Sequence, residues 1–289
     1  MKAPLKALSA ALIAAAGVLT PAASRADFAY AVTFVDNDLI SVDTATGNAA
    51  LIAPLGQTVN PFGLAAVNGQ LFTFDSVADT VDQIDPGSGA ITKAVNIGIG
   101  PVLGQGGLAF QTNTTGFLTS TLDPAPPNNP MNNLYRFDIA AGTSSLVGQT
   151  SAPIEALAFG PNGTLYGLGK LDGNLYSINP TTAATTLIGS TGVSVGGPTG
   201  SLALASDGTL YATLDDKLYT LNRSNGAATA VGTPFDPATD TGTGFASISG
   251  LALTVSPIPE PSSLVLTGLG VVGACAVFRR GKTGGRRSS

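Results

Sequence analysis

The sequence predicts an all-β protein, a β-propeller of five four-stranded blades in which the C-terminal strand of the body closes the first blade. An N-terminal signal helix precedes the body and a C-terminal transmembrane helix follows it. Three observations predict the ring. A Leu-Ala motif occurs five times, as Gly63-Leu64-Ala65, Gly107-Leu108-Ala109, Ala156-Leu157-Ala158, Ser201-Leu202-Ala203 and Gly250-Leu251-Ala252, with leucine spacings of 44, 49, 45 and 49 residues. A second motif, an alternating apolar strand ending near Asp or Asn, also occurs five times, at 39–47, 81–89, 134–142, 175–183 and 218–226. The two series are out of phase at the ends of the body. A period near 45 residues with four strand-length segments per repeat has the size and content of a propeller blade.

The repeat at 154–189 reads most clearly. Ile154 to Phe159 is strand a. Asn162-Gly163 turns the chain into strand b, Thr164 to Leu168. Asp172-Gly173 turns it again into strand c, Asn174 to Ile178, and strand d is Ala184 to Ile188. Asn-Gly and Asp-Gly supply the positive φ angles of two-residue hairpins, and the same dipeptides recur at Asn68-Gly69 and Asp207-Gly208. The third repeat carries an insert, residues 123–130, between its second and third strands; Pro- and Asn-rich loops of this kind leave the body and are often functional.

The ends of the body predict closure. It opens at Phe28 with strands of types b, c and d, and it ends on Leu251-Ala252-Leu253-Thr254-Val255, a strand a with nothing after it. That strand completes the first blade and removes two exposed sheet edges. An open β-solenoid or an irregular β-sandwich is the competing fold, but solenoid coils are shorter and need no out-of-phase end strand.

Composition narrows the chemistry. There is no His and no Trp, and there is one Cys. This excludes Ser–His–Asp and Cys–His catalysis, His-ligated metals and an intrachain disulfide. Residues 27–259 hold 17 acids and five bases (Lys93, Arg136, Lys170, Lys217, Arg223), a net charge of −12. Such a surface repels phosphate backbones, which argues against nucleic acid as a partner.

Both termini carry targeting features, which divide the chain into residues 1–26, 27–256 and 257–289. Lys2 and Lys6 precede an apolar run from Ala7 to Val18, and Ser24-Arg25-Ala26 places small residues at −3 and −1 of a cut between Ala26 and Asp27, the pattern of a signal peptide. At the other end, Pro259-Glu260-Pro261 precedes an uncharged stretch at 262–278. Arg279, Arg280, Lys282, Arg286 and Arg287 follow. Seventeen residues at about 1.5 Å each give a helix near the lower limit for a membrane span, with a cytoplasmic basic tail. Cys275 lies inside this stretch and reads as a small apolar packing residue.

The ordered trio of motif, short span and basic cluster resembles the PEP-CTERM sorting signal of Gram-negative bacteria. That resemblance implies that Pro259, Glu260 and Pro261 form a substrate site for an exosortase. It further implies that the chain is held transiently in the inner membrane and then passed to the cell surface or extracellular matrix, often alongside exopolysaccharide. The body resembles NHL-like and WD40-like surface propellers. It is closer still to exported repeats of the type LAFGPDGTLYG, matched by Leu157 to Gly167 and by Leu175-Tyr176-Ser177-Ile178-Asn179-Pro180. It lacks the Gly-His and Trp-Asp marks of WD40 repeats, so the likeness implies fold only.

Candidate ligand groups are few. Asp36 and Asp38, Asp79 and Asp82, Asp215 and Asp216, and Asp172 fall at b–c turns, where a ring of acids would suit Ca²⁺. Asp is also a turn residue in its own right, and the spacing fits no known calcium loop. Asp43, Asp85, Asp138, Asn179 and Asn222 end the c strands, where an Asx residue starts the next turn. Tyr135, Tyr166, Tyr176, Tyr211 and Tyr219 suit packing between blades better than stacking on sugars. Glu155 is the one acid on an a strand, the strand type that lines a propeller's channel. The resulting expectation is a non-catalytic binding or structural role with an extracellular polysaccharide or a surface protein as partner. The alternative is a Ca-dependent propeller hydrolase or lyase, which needs several carboxylates converging on the axis.

Overall fold

Among the described residues, twenty strands grouped as five antiparallel sheets of four account for the repeat. A computed structural model describes residues 28–57, 59–100, 106–121, 132–160, 162–193, 200–214, 217–232 and 248–253. The signal segment, the third-repeat insert, Asp215, Asp216 and everything after Leu253 lie outside the described residues. Blade 1 is β20 (Ile248–Leu253), β1 (Phe28–Thr33), β2 (Asp38–Asp43) and β3 (Ala49–Pro54). Blade 2 is β4 (Pro61–Val67), β5 (Gln70–Asp75), β6 (Thr80–Ile84) and β7 (Ile91–Asn96). Blade 3 is β8 (Leu108–Phe110), β9 (Thr115–Thr121), β10 (Asn132–Asp138) and β11 (Thr143–Gln149). Blade 4 is β12 (Ile154–Phe159), β13 (Leu165–Gly169), β14 (Asn174–Ile178) and β15 (Thr185–Ser190). Blade 5 is β16 (Gly200–Leu204), β17 (Leu210–Leu214), β18 (Lys217–Leu221) and β19 (Ala228–Ala230).

The expected closure is present. β20 pairs antiparallel with β1, with Leu251 opposite Ala31 and Leu253 opposite Ala29, so the end of the body completes the sheet begun at its start. The ring is closed twice. Around the axis, the a strands pack in the circle β20, β4, β8, β12, β16 and back to β20. At the rim, each c–d turn lies against the end of the preceding blade's d strand. Gly89 meets Pro54, Gly142 meets Asn96, Thr182 meets Gly148, Asn225 meets Gly189, and Thr46 meets Gly232 to complete the circuit.

The core is correspondingly divided into five. Alternate residues of each strand face opposite neighbours, so each apolar cluster lies between two blades. Phe72, Phe74 and Val81 of blade 2 meet Leu108, Leu118 and Phe137 of blade 3. Ala203 and Leu218 of blade 5 meet Ala31, Ile40 and Leu251 of blade 1. Aromatic pairs cross the same seams. Phe110 of blade 3 sits 5.0 Å from Phe72 of blade 2, and Phe117 of blade 3 sits 5.8 Å from Phe159 of blade 4.

The residue before each Leu-Ala is small because the inner circle is tight. A Cβ on Gly107 would come within 2.5 Å of the Ala156 carbonyl carbon, and one on Gly250 within 2.5 Å of the Leu64 nitrogen. The repeats at 154 and 200 carry Ala156 and Ser201 there.

The hairpins depart from expectation in one respect. Among the described residues only Asn68-Gly69 is a two-residue turn with both φ angles positive, at 50° and 74°. At Asn162-Gly163 and Asp207-Gly208 only the glycine is left-handed. There the hydrogen bonds from Gly160 N–H to Thr164 O and from Ala205 N–H to Thr209 O enclose three residues. One extra residue converts the two-residue turn into a type I turn ending in a left-handed glycine.

Candidate functional site

All five a strands run in one direction, so the molecule has two distinct faces. The a–b and c–d turns lie on one face, the b–c turns and the links between blades on the other. The axial channel opens on the a–b face as a mouth of about 100 Å³, lined by Leu64, Phe110, Phe159, Leu204 and Leu253 among others. Toward the b–c face it narrows to a throat of about 10 Å³ between Gly63, Gly107, Glu155, Ser201 and Ser249. That is room for one water at most.

The throat is held by hydroxyls that bind strand a to strand b. Thr73 donates to the Gly63 carbonyl at 2.7 Å, Thr119 accepts from the Gly107 N–H at 2.8 Å, and Ser201 pairs with Thr213. Glu155 is the exception. It is 3% exposed and neither carboxyl oxygen has a hydrogen-bond partner. Burial pushes its carboxyl up to about 8; the Lys170 charge and the adjacent Gly200 amide pull the other way and lose. The side chain is therefore predominantly a neutral acid at pH 7. The inward placement expected from its strand type is correct.

The b–c acids are dispersed. Asp36 is exposed in the β1–β2 turn, and Asp38 opens β2, donating its N–H to Thr33 Oγ1 at 3.0 Å. Burial, then the Asp36 charge, raise the Asp38 carboxyl. Asp79, in a left-handed turn (φ 58°), accepts the N–H groups of Ile99 and Gly100 at 3.2 and 2.9 Å and so ties down the link to blade 3. Asp172 accepts from Tyr176 Oη at 2.6 Å and from Asn174 Nδ2 at 2.9 Å. Asp82 is not in the turn. It is the third residue of β6, 2% exposed, with Oδ1 unpartnered, and burial raises it to about 6. Among the described residues no three His, Cys, Asp or Glu side chains gather as a metal ion requires.

The recurrent acids after strand c cap the c–d turns. Asp43 accepts from Ala45 and Thr46, Asp138 from Ala140 and Ala141, and Asn179 from Thr181 and Thr182. Tyr166, Tyr176, Tyr211 and Tyr219 pack in or against the clusters between blades. Sequence reasoning missed the latching role of the b–c turns, where Asn37 accepts from Val59 N–H at 2.9 Å and Asn132 from Ile154 N–H at 3.1 Å. It also missed three apolar side chains at these turns, Val35, Val77 and Leu171, which are 61%, 77% and 65% exposed.

Residues 257–280 match the model of the PEP-CTERM protein-sorting motif. The chain carries a PEP-CTERM sorting motif. The matched segment contains Pro259, Glu260, Pro261, Arg279 and Arg280; Lys282, Arg286 and Arg287 fall beyond it. The motif implies export, processing by exosortase and transient anchoring through the C-terminal region. No curated protein matches the chain. Solved structures resemble the propeller. A protein of unknown function from Bacteroides caccae is similar over 80% of this chain and 99% of its own, at 11% identity and TM-score 0.45. The gluconolactonase XC5397 of Xanthomonas campestris is similar over 73% and 78%, at 14% identity and TM-score 0.47. A chain of a nidogen/laminin complex is similar over 80% and 86%, at 14% identity and TM-score 0.47. At these values the likenesses bear on no activity.

Proposed function

We propose that this PEP-CTERM protein is a non-catalytic binding module of the bacterial surface or extracellular matrix, released there after exosortase processing. The observation that carries the reading is the lining of the axial channel. Inward positions of all five a strands are small or apolar, and the one carboxyl, Glu155, is neutral and walled into a space of about 10 Å³. A Ca-dependent hydrolase or lyase needs several ionised carboxylates on a reachable ligand.

The b–c face supplies the binding chemistry. Val35 next to Asp36 and Leu171 next to Asp172 set exposed apolar tips beside acids, and Val77 stands two residues before Asp79. Such a surface fits a protein partner with basic and apolar groups. A polysaccharide fits less well, because four of the five strand tyrosines that would stack on sugars, Tyr166, Tyr176, Tyr211 and Tyr219, are spent between the blades. The test is a capture experiment with the 27–256 body, using matrix proteins and exopolysaccharide as separate arms, with and without Ca²⁺. Binding of a basic protein that weakens with salt, and that Leu171→Lys or Val77→Lys reduces severalfold at unchanged Tm, supports the reading. Calcium-dependent turnover of an extracellular substrate overturns it.

A further inference from the structure

We infer that in the membrane-anchored precursor the mouth of the propeller faces the bilayer and the b–c face points away from it. This rests on the reading of residues 262–278 as a membrane anchor. The rest follows from where the body lets the chain go. β20 is the innermost strand of blade 1 and runs toward the a–b face, so Leu253, its last residue, stands at the lip of the mouth. Eight residues, nine Cα-to-Cα steps, separate Leu253 from Ser262, and three of them, Pro257, Pro259 and Pro261, favour extended chain. At no more than about 3.4 Å per residue the tether spans about 30 Å.

That reach is too short for the opposite orientation. A tether leaving beside the axis would have to cross four strands at about 4.8 Å spacing, then descend the length of a six-residue strand, about 20 Å. The detour is about 40 Å. The other end of the body agrees. β1 begins at Phe28 on the same face, beside Leu253, so the chain emerging from the signal segment enters at the mouth as well.

The mouth, with Phe110, Phe159, Leu204 and Leu253 on its wall, thus lies against the membrane surface until the chain is cut.

The body has no cysteine, so single labels are unique once Cys275 is replaced by Ser. The full chain is reconstituted into phosphatidylethanolamine/phosphatidylglycerol vesicles containing headgroup-nitroxide lipid. A fluorophore is placed at Asn113→Cys or Asn162→Cys on the mouth side, at Val77→Cys or Leu171→Cys on the b–c side, or at Leu187→Cys on the outer edge. All five positions are exposed, so folding is undisturbed. Vesicle flotation reports anchoring separately. The expected result is flotation with severalfold stronger quenching at 113 and 162 than at 77, 171 or 187. The difference should vanish when a Gly/Ser linker of about 20 residues is inserted after Ser256. Failure to float overturns the anchor reading, and the orientation with it. Flotation with equal quenching, or with the strongest quenching at 77, 171 or 187, overturns the orientation alone.

Discussion

At Glu155 burial and charge compete, and burial decides. The carboxyl's ordinary value of 4.5 rises to about 8 because burial outweighs the Lys170 charge and the Gly200 amide. Between those values the native state holds a proton that the unfolded chain has released. Stability is therefore full below pH 4.5, falls as pH rises to 8 and levels off above it. Asp82, raised from 3.8 to about 6, acts in the same sense at the lower end of that window. Glu155→Gln should flatten the upper part of the slope. Thermal denaturation should find the variant close to wild type near pH 4 and more stable near pH 9, by an amount on the order of a few kcal/mol. A parallel pair of pH profiles would contradict this account. Asp79 is the opposite case, a carboxylate whose two oxygens are both in use. Asp79→Ala leaves the amides of Ile99 and Gly100 without their acceptor and should cost about 2–3 kcal/mol in urea unfolding, while Asp79→Asn, which keeps one acceptor oxygen, should cost about half as much.

At the level of the strand and its turn, the inner circle sets the tolerance. Gly107→Ala puts a methyl group into the backbone of β12 in the next blade, with no flexible side chain there to yield. Urea unfolding should show a loss of about 2–3 kcal/mol. Gly163→Ala, where a Cβ meets nothing but the φ of 78° is unfavourable, should cost only about 1–2 kcal/mol. The strands were legible because period-2 alternation and Asx-Gly punctuation are local signals, and the fourth repeat reads almost to the residue. The acids were harder. Asp79 looked like a ligand because its partners lie 20 and 21 residues downstream, in an apolar link that has no motif of its own. Asp82 looked like a turn residue because it lies three positions from Asp79, but the turn ends at Asp79 and β6 begins at Thr80, leaving it inside the strand. Glu155 was legible in position, since the register of an a strand fixes which residues face the axis. Its lack of a partner was not, because Gly200 and Leu168 that crowd it belong to other strands.

For the molecule as a whole, the decisive contact joins residues more than 200 positions apart. β20 does three things at once: it completes the sheet of blade 1 through β1, it sits between β4 and β16 in the axial circle, and it contributes Ile248 and Leu251 to the cluster between blades 5 and 1. A chain ending at residue 247 loses all three. β1 then becomes an edge strand with unpaired N–H and C=O groups, Ala31 and Val32 lose their cover, and the a strands of blades 2 and 5 each lose one of their two neighbours in the axial circle. Such an opened ring resembles a linear stack of sheets, whose ends unfold before its middle. The chain ending at residue 256 should be monomeric on size exclusion and unfold in one sharp transition in urea. The chain ending at 247 should unfold over a broader range with a lower m-value and should self-associate through the exposed β1 edge. If instead the shorter chain is monomeric and keeps the same midpoint and slope, the outer circle of turns, closed by Thr46 against Gly232, holds the ring by itself and β20 serves chiefly to deliver the sorting motif to the mouth.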